Sequence, residues 1–76
     1  MNNKAVNIDP EILSGTPVFV GTRVPIKNLF DYIESGETLE EFLIAFPSVT
    51  KELAIEVLET AERLVTTEYF SNENFN

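Results

Sequence analysis

The chain of 76 residues contains neither cysteine nor histidine and carries a net charge of −8. This composition excludes disulfides and any chemistry that depends on a thiol or an imidazole. An acidic chain repels phosphate backbones and attracts basic surfaces. A chain this short forms a single domain with a small core, and binding to a partner chain is an economical way to stabilise it.

Two short strands are predicted near the N-terminus. Residues 6–8 alternate apolar and polar side chains, and residues 18–20 form an apolar run. Segment 9–25, which contains the second run, holds three of the four prolines and two of the three glycines, so that its backbone is restricted to a turn–strand–turn course. We expect the strands to pair with each other or with the same strands of a second subunit.

The first two predicted helices have recognisable ends. The first begins near Ile26, and apolar residues repeat along one of its faces. Gly36 is placed to end this helix in a left-handed residue. Thr38 and Glu41 match the capping box that starts a second helix. That helix runs to about Phe46, because a residue that precedes proline avoids the α region.

A third helix of about 16 residues is predicted to begin after Thr50, whose hydroxyl can cap it. Its apolar positions are expected to face the core: Leu53, Ala54, Val57, Leu58, Ala61, Leu64 and Val65. The opposite face is charged and carries Lys51, Glu52, Glu56, Glu59, Glu62 and Arg63. Glu59 and Arg63 are spaced i, i+4, which predicts an ion pair.

These elements predict a mainly α fold, a three-helix bundle of helix-turn-helix layout preceded by a short β-arm of two strands. Any small three-helix bundle shows the same layout. We predict one domain over residues 1–66, with the arm at 5–25 and the bundle at 26–66. Residues 67–76 form a C-terminal tail, expected to be partly disordered, whose aromatic residues allow the alternative that it orders on a partner.

Neither catalysis nor a cofactor is expected. Acid–base chemistry would fall to carboxylates such as Asp9 with Glu11, or Glu40 with Glu41, and adjacent surface acids are nearly always solvated. No oxygen cluster has the spacing of metal ligands. We therefore expect a protein that binds rather than an enzyme.

Arg23 follows a Gly-Thr turn and has two interpretations. Its guanidinium either ties the loop to backbone carbonyls, to Asp9 or to Glu11, or it is exposed and contacts an acidic surface of a partner. The sequence leaves both open.

Three motifs together resemble a known family. They are Asp-Pro-Glu-Ile…Gly-Thr-Pro-Val…Gly-Thr-Arg-Val-Pro-Ile at residues 9–26, Gly-Glu-Thr-Leu-Glu-Glu at 36–41 and Phe-Pro-Ser-Val-Thr at 46–50. Over about residues 6–65 the chain resembles the small prokaryotic family catalogued as domain of unknown function 433. The resemblance implies a homeodomain-like helix-turn-helix fold behind a short β-arm, often in dimers. It also implies the role of antitoxin to a PIN-like nuclease toxin, which such antitoxins neutralise by covering its site; they can also bind their own operator.

The chain departs from this family pattern at two places. Lys27 stands where family members commonly have a small hydroxyl residue that caps the first helix. The third helix is unusually acidic, which argues against operator binding and leaves toxin binding unaffected.

The first functional hypothesis is a non-enzymatic, antitoxin-like homodimer that binds a basic nuclease toxin. Its candidate partner-binding residues are Arg23, Glu56, Glu59, Arg63, Tyr69 and Phe70. The alternatives are a DNA-binding regulator without a toxin, and an orphan structural domain. In the DNA-binding alternative, phosphates would be contacted by Lys27, Lys51 and Arg63.

A cytoplasmic protein without membrane association is expected. No apolar stretch approaches the roughly 20 residues that a membrane-spanning helix needs. Residues 1–4 lack the charged-then-apolar layout of a signal peptide.

Overall fold

In a computed structural model, which describes residues 4–69, a short two-stranded arm precedes three helices. The strands are β1, Val6–Asn7, and β2, Val18–Phe19. The helices are α1, Ile26–Glu34, α2, Leu39–Ala45, and α3, Lys51–Arg63. A π-helical segment, Leu64–Tyr69, continues directly from α3. The predicted architecture of a β-arm followed by three helices is confirmed.

The arm is an antiparallel pair formed within one chain. Val6 lies opposite Phe19 and Asn7 opposite Val18. The loop between the strands contains a short 3₁₀ turn, Leu13–Gly15, in which all three residues have positive φ (50°, 57° and 88°). Only the glycine adopts this region without strain, and each of the other two costs roughly 1 kcal/mol or more.

Local signals in the sequence end α1 and start α2 as predicted. Gly36, at φ 90°, donates its N–H to the Ile33 carbonyl at 3.0 Å, and the N–H of Glu37 reaches the Tyr32 carbonyl at 2.9 Å. This double closure is the Schellman motif. At the start of α2, the Glu41 N–H donates to Thr38 Oγ1 at 3.1 Å, and Glu41 Oε1 accepts from the Thr38 N–H at 2.7 Å. The capping box is therefore complete.

The predicted end of α2 and start of α3 are also present. Phe46, which precedes proline, leaves the α region with φ −126° and ψ 74°. Thr50 caps α3, because its Oγ1 accepts from the Leu53 N–H at 3.1 Å. The helix reaches further than expected, since helical turns run on through Tyr69.

One hydrophobic core joins the arm to all three helices. Its buried members are Ala5, Phe19, Leu29, Phe42, Val49, Ala54 and Val57. At its centre the ring of Phe42 contacts those of Phe19 in β2 (centroids 5.9 Å apart), Tyr32 in α1 (5.6 Å) and Phe46 after α2 (5.0 Å). Tilted and edge-on ring pairs at these distances are attractive beyond the area that they bury.

The inward assignment of Leu64 and Val65 is wrong. Their side chains are 48% and 53% exposed, whereas Ala54 and Val57 earlier on α3 are buried. Within the described part of the chain, the residues of α3 that pack on the core end at Leu58.

Between residues 4 and 69, no helix combines the length and the apolarity that are needed to cross a membrane.

Replacing Phe42 with alanine is expected to unfold the domain. Loss of a buried phenylalanine costs about 3–5 kcal/mol, which is comparable with the whole stability of a small domain. Ile44→Ala on the same helix is the matched control, because Ile44 is 79% exposed and its loss should change stability by less than about 0.5 kcal/mol. Circular dichroism with urea titration checks both. Equal stability of the two variants would contradict the central role of Phe42.

The capping box makes stability depend on pH. The bonds that Thr38 gives, first from its N–H and then from its side chain, lower the pKa of Glu41 below its ordinary value. A carboxyl group with a lowered folded-state pKa stabilises the fold above its unfolded pKa, and this contribution disappears as pH falls through the folded pKa. Glu41→Gln should therefore be less stable than the wild type at pH 7 and as stable at pH 2. Thermal melts of both proteins between pH 7 and pH 2 test this prediction. A stability difference between them that persists at pH 2 would contradict it.

Candidate functional site

A turn after β2 places Arg23 at the surface. Thr22 Oγ1 donates to the Phe19 carbonyl at 2.8 Å and accepts from the Val24 N–H at 3.0 Å. The Phe19 N–H in turn donates to the Val24 carbonyl at 3.0 Å, and Gly21 takes φ 77° to allow the reversal. The residues on both sides of Arg23 are thus held, and the turn is anchored to the core through Phe19.

Arg23 itself is exposed and makes no hydrogen bond or ion pair within the described part of the chain. The expectation that it ties the loop to carbonyls, to Asp9 or to Glu11 is wrong. Asp9 Oδ1 instead accepts from the Glu11 N–H at 2.9 Å, so that the loop is closed without the guanidinium. A charged side chain on a fixed turn with all its donors available is suited to bind a carboxylate of another molecule.

The acidic stripe, which we define as Glu52, Glu56 and Glu59, lies along the solvent face of α3. The spacing of four and three residues places the three side chains on one face, and all three are exposed. Neighbouring like charges on a helix repel by a few tenths of a kcal/mol per pair. None of these carboxylates has an ion-pair partner among residues 4–69.

The predicted ion pair between Glu59 and Arg63 is absent. Arg63 Nη2 donates instead to Thr60 Oγ1 at 3.4 Å, three residues back on the helix. At this exposed position water screens the attraction between the Arg63 guanidinium and the Glu59 carboxylate, so that an ion pair between them would add little stability. Arg63 therefore does not pair with a carboxylate of the acidic stripe.

The three basic residues proposed for DNA contact do not form one patch. Lys51 and Arg63 stand at opposite ends of α3, about 18 Å apart along its axis. Lys27 Nζ contacts Asp31 Oδ1 at 2.8 Å and Oδ2 at 3.2 Å. This bond, with the charge of Asp31, raises the pKa of Lys27 and neutralises its charge locally.

Among the exposed apolar side chains of residues 4–69, two groups bear on the candidate site. One is the arm, where Ile8 is 64% exposed at the end of β1. The other is the apolar end face, which we define as Ala61, Leu64 and Val65 after the core contacts of α3 stop. The sequence pattern assigned all three residues of this face to the core.

The remaining predicted partner residues lie at the C-terminal end. Tyr69 is the last residue of the π-helical segment, and Phe70 lies outside the described residues. In the described part of the chain, no group of three or more aspartate and glutamate residues could hold a metal ion.

Comparison with known proteins identifies the family. The model of the family described as "Protein of unknown function (DUF433)" matches residues 6–60. The chain therefore belongs to the DUF433 family, as its motifs indicated. A protein of Sinorhizobium fredii (strain NBRC 101917 / NGR234), named "Uncharacterized protein y4eO", is 43% identical over 47 residues. The match covers 62% of this chain, which spans about a fifth (21%) of that relative's length.

A solved structure supports the fold. The crystal structure of a DUF433 member from Anabaena variabilis ATCC 29413 superimposes with a TM-score of 0.68. The superposition covers 92% of this chain and 67% of the other, at 24% sequence identity. The likeness shows that the β-arm and helices form a fold shared with that protein.

Thr22 and Arg23 should respond to mutation in opposite ways. Thr22→Val removes the hydroxyl that holds the turn and leaves a backbone N–H without its partner, which costs about 1–3 kcal/mol. Arg23→Ala removes no hydrogen bond or ion pair among residues 4–69 and should change stability by less than about 0.5 kcal/mol. Thr22→Ser keeps the hydroxyl and is the control. Thermal denaturation measures all three, and a destabilised Arg23→Ala would show that the arginine is structural.

Proposed function

We propose that this member of the DUF433 family is a cytoplasmic, non-enzymatic, antitoxin-like protein that binds and neutralises a PIN-like nuclease. The observation that carries the proposal is the acidic stripe of α3, whose charge is not neutralised within residues 4–69. The role itself is the one that the family resemblance implies.

The acidic stripe favours a basic protein as the partner. Exposed carboxylates on a rigid helix attract lysine and arginine side chains and speed their association. A partner cation placed between Glu56 and Glu59 would also relieve their mutual repulsion. Arg63 continues the stripe by one turn and can pair with an acid at the edge of the same contact.

Arg23 supplies charge of the opposite sign. A nuclease site is acidic, and a guanidinium held on the turn by Thr22 can form two parallel hydrogen bonds to a carboxylate there. Covering the nuclease site with such a group would neutralise it. Tyr69 and Phe70 are proposed as further contacts, because aromatic side chains often anchor protein interfaces.

A homodimer is proposed through the arm. β2 already has neighbours on both sides, since it pairs with β1 and, through Val18, with Pro25. β1 pairs, in the part of the chain that is described, with β2 alone. Its other edge, next to the exposed Ile8, can add a strand from a second copy in an isologous contact.

Neutralising the acidic stripe should weaken partner binding. The test partner is a purified PIN-like nuclease, sought as the product of an adjacent reading frame. Glu56→Gln with Glu59→Gln is expected to raise the Kd for this nuclease about tenfold at low salt, mainly through slower association. The loss should shrink as salt is added, because ions screen exposed charges. Surface plasmon resonance and inhibition of nuclease activity measure the effect. Glu11→Gln with Glu34→Gln removes the same charge from other exposed sites and is the control.

Three results would contradict the proposal. A nuclease that stays active with a molar excess of this chain would exclude neutralisation. Salt-sensitive, sequence-specific binding to upstream DNA, lost in variants of Lys27, Lys51 and Arg63, would favour the regulator instead. The absence of any partner would leave an orphan domain.

A further inference from the structure

We propose that the apolar end face, Ala61, Leu64 and Val65, is the docking site for an apolar anchor on a basic segment of the partner. This rests on the proposed function and goes beyond it, because it places the contact on a face of the helix that the acidic stripe does not occupy. The acidic stripe then speeds association of the partner, and the apolar end face slows its dissociation.

The burial of side chains along α3 carries the proposal. Ala54 and Val57 are buried, Ala61 is half-buried, and Leu64 and Val65 are about half exposed. All five lie on one side of the helix, because Ala54, Val57, Ala61 and Leu64 follow each other in steps of three or four residues and Val65 follows Ala61 by four. In the described part of the chain, this apolar surface is therefore buried over the first turns of α3 and about half exposed at Leu64 and Val65.

The surrounding charge indicates what covers the bare part. Glu62 is exposed and lies three residues before Val65, so that the two side chains are neighbours on the helix surface. Glu59 adds a second carboxylate one turn earlier on the exposed side. An apolar patch with an acidic rim is complementary to an apolar anchor flanked by lysine or arginine.

A second copy of the chain fits this face less well. In a symmetric contact the apolar end face would meet itself, and Glu62 of one copy would approach the acidic rim of the other. Like charges brought together in this way oppose association. The edge of β1 offers the homodimer a contact without this repulsion.

The double variant Leu64→Ala with Val65→Ala tests the surface. Truncating these two apolar side chains should raise the Kd for the same PIN-like nuclease at least tenfold, mainly through faster dissociation. Alanine keeps the helix, so the circular dichroism spectrum should not change. Ile44→Ala, which removes an even more exposed apolar side chain from α2, is the matched control and should bind as the wild type does.

The outcomes separate this inference from the proposed function. If the wild type binds the nuclease and the double variant binds equally well, the apolar end face is not the docking site, while the antitoxin role stands. If the wild type does not bind, both fail. Sedimentation velocity tests whether a second copy of the chain covers this face. If the wild type is a dimer and the double variant is a monomer, the assignment to a basic partner is overturned.

Discussion

The rest of this structure depends on the contacts of the Phe42 ring, because they join the arm, α1 and α2 into one core. The chain has no disulfide, and the two strands of the arm are only two residues long. Such strands are not stable alone. Phe19 attaches them to the bundle through its contact with Phe42, while Tyr32 and Phe46 pack on the same ring and on each other at 5.7 Å.

The position of Arg23 follows from this aromatic cluster. Phe19 is at once a core residue and the acceptor for Thr22, so the turn that carries Arg23 is fixed relative to the buried centre of the domain. The strained turn at Leu13 and Ser14 belongs to the same arm. Backbone bonds from Gly15 to Ile12 and from Thr16 to Leu13, both 3.1 Å, help to hold that conformation.

Three surfaces of different chemistry result from a small core. The core reaches only part of α3, so the helix has an acidic stripe on its solvent face and bare apolar residues where the core contacts stop. Arg23 adds a fixed positive charge on the arm. A partner that matches all three needs basic residues, an apolar anchor and an acidic site. This combination describes a protein surface better than it describes DNA, which has no cationic groups and whose phosphates repel the stripe.

The sequence by itself determined the elements, the ends of α1 and α2 and the start of α3. Thr38 with Glu41, Gly36 and Thr50 act on backbone groups within four residues of themselves, so that their effects can be read without knowing the fold. The apolar periodicity likewise identified the face of α3 that packs on the core. Only the tertiary structure decided where the burial of this apolar face ends. Periodicity shows that Leu64 and Val65 are apolar, but it does not show whether another part of the domain packs against them. The tertiary structure also decided that Arg23 has no ion-pair partner among residues 4–69 and that Arg63 donates to Thr60. The partners of a long charged side chain depend on which groups the fold brings within reach.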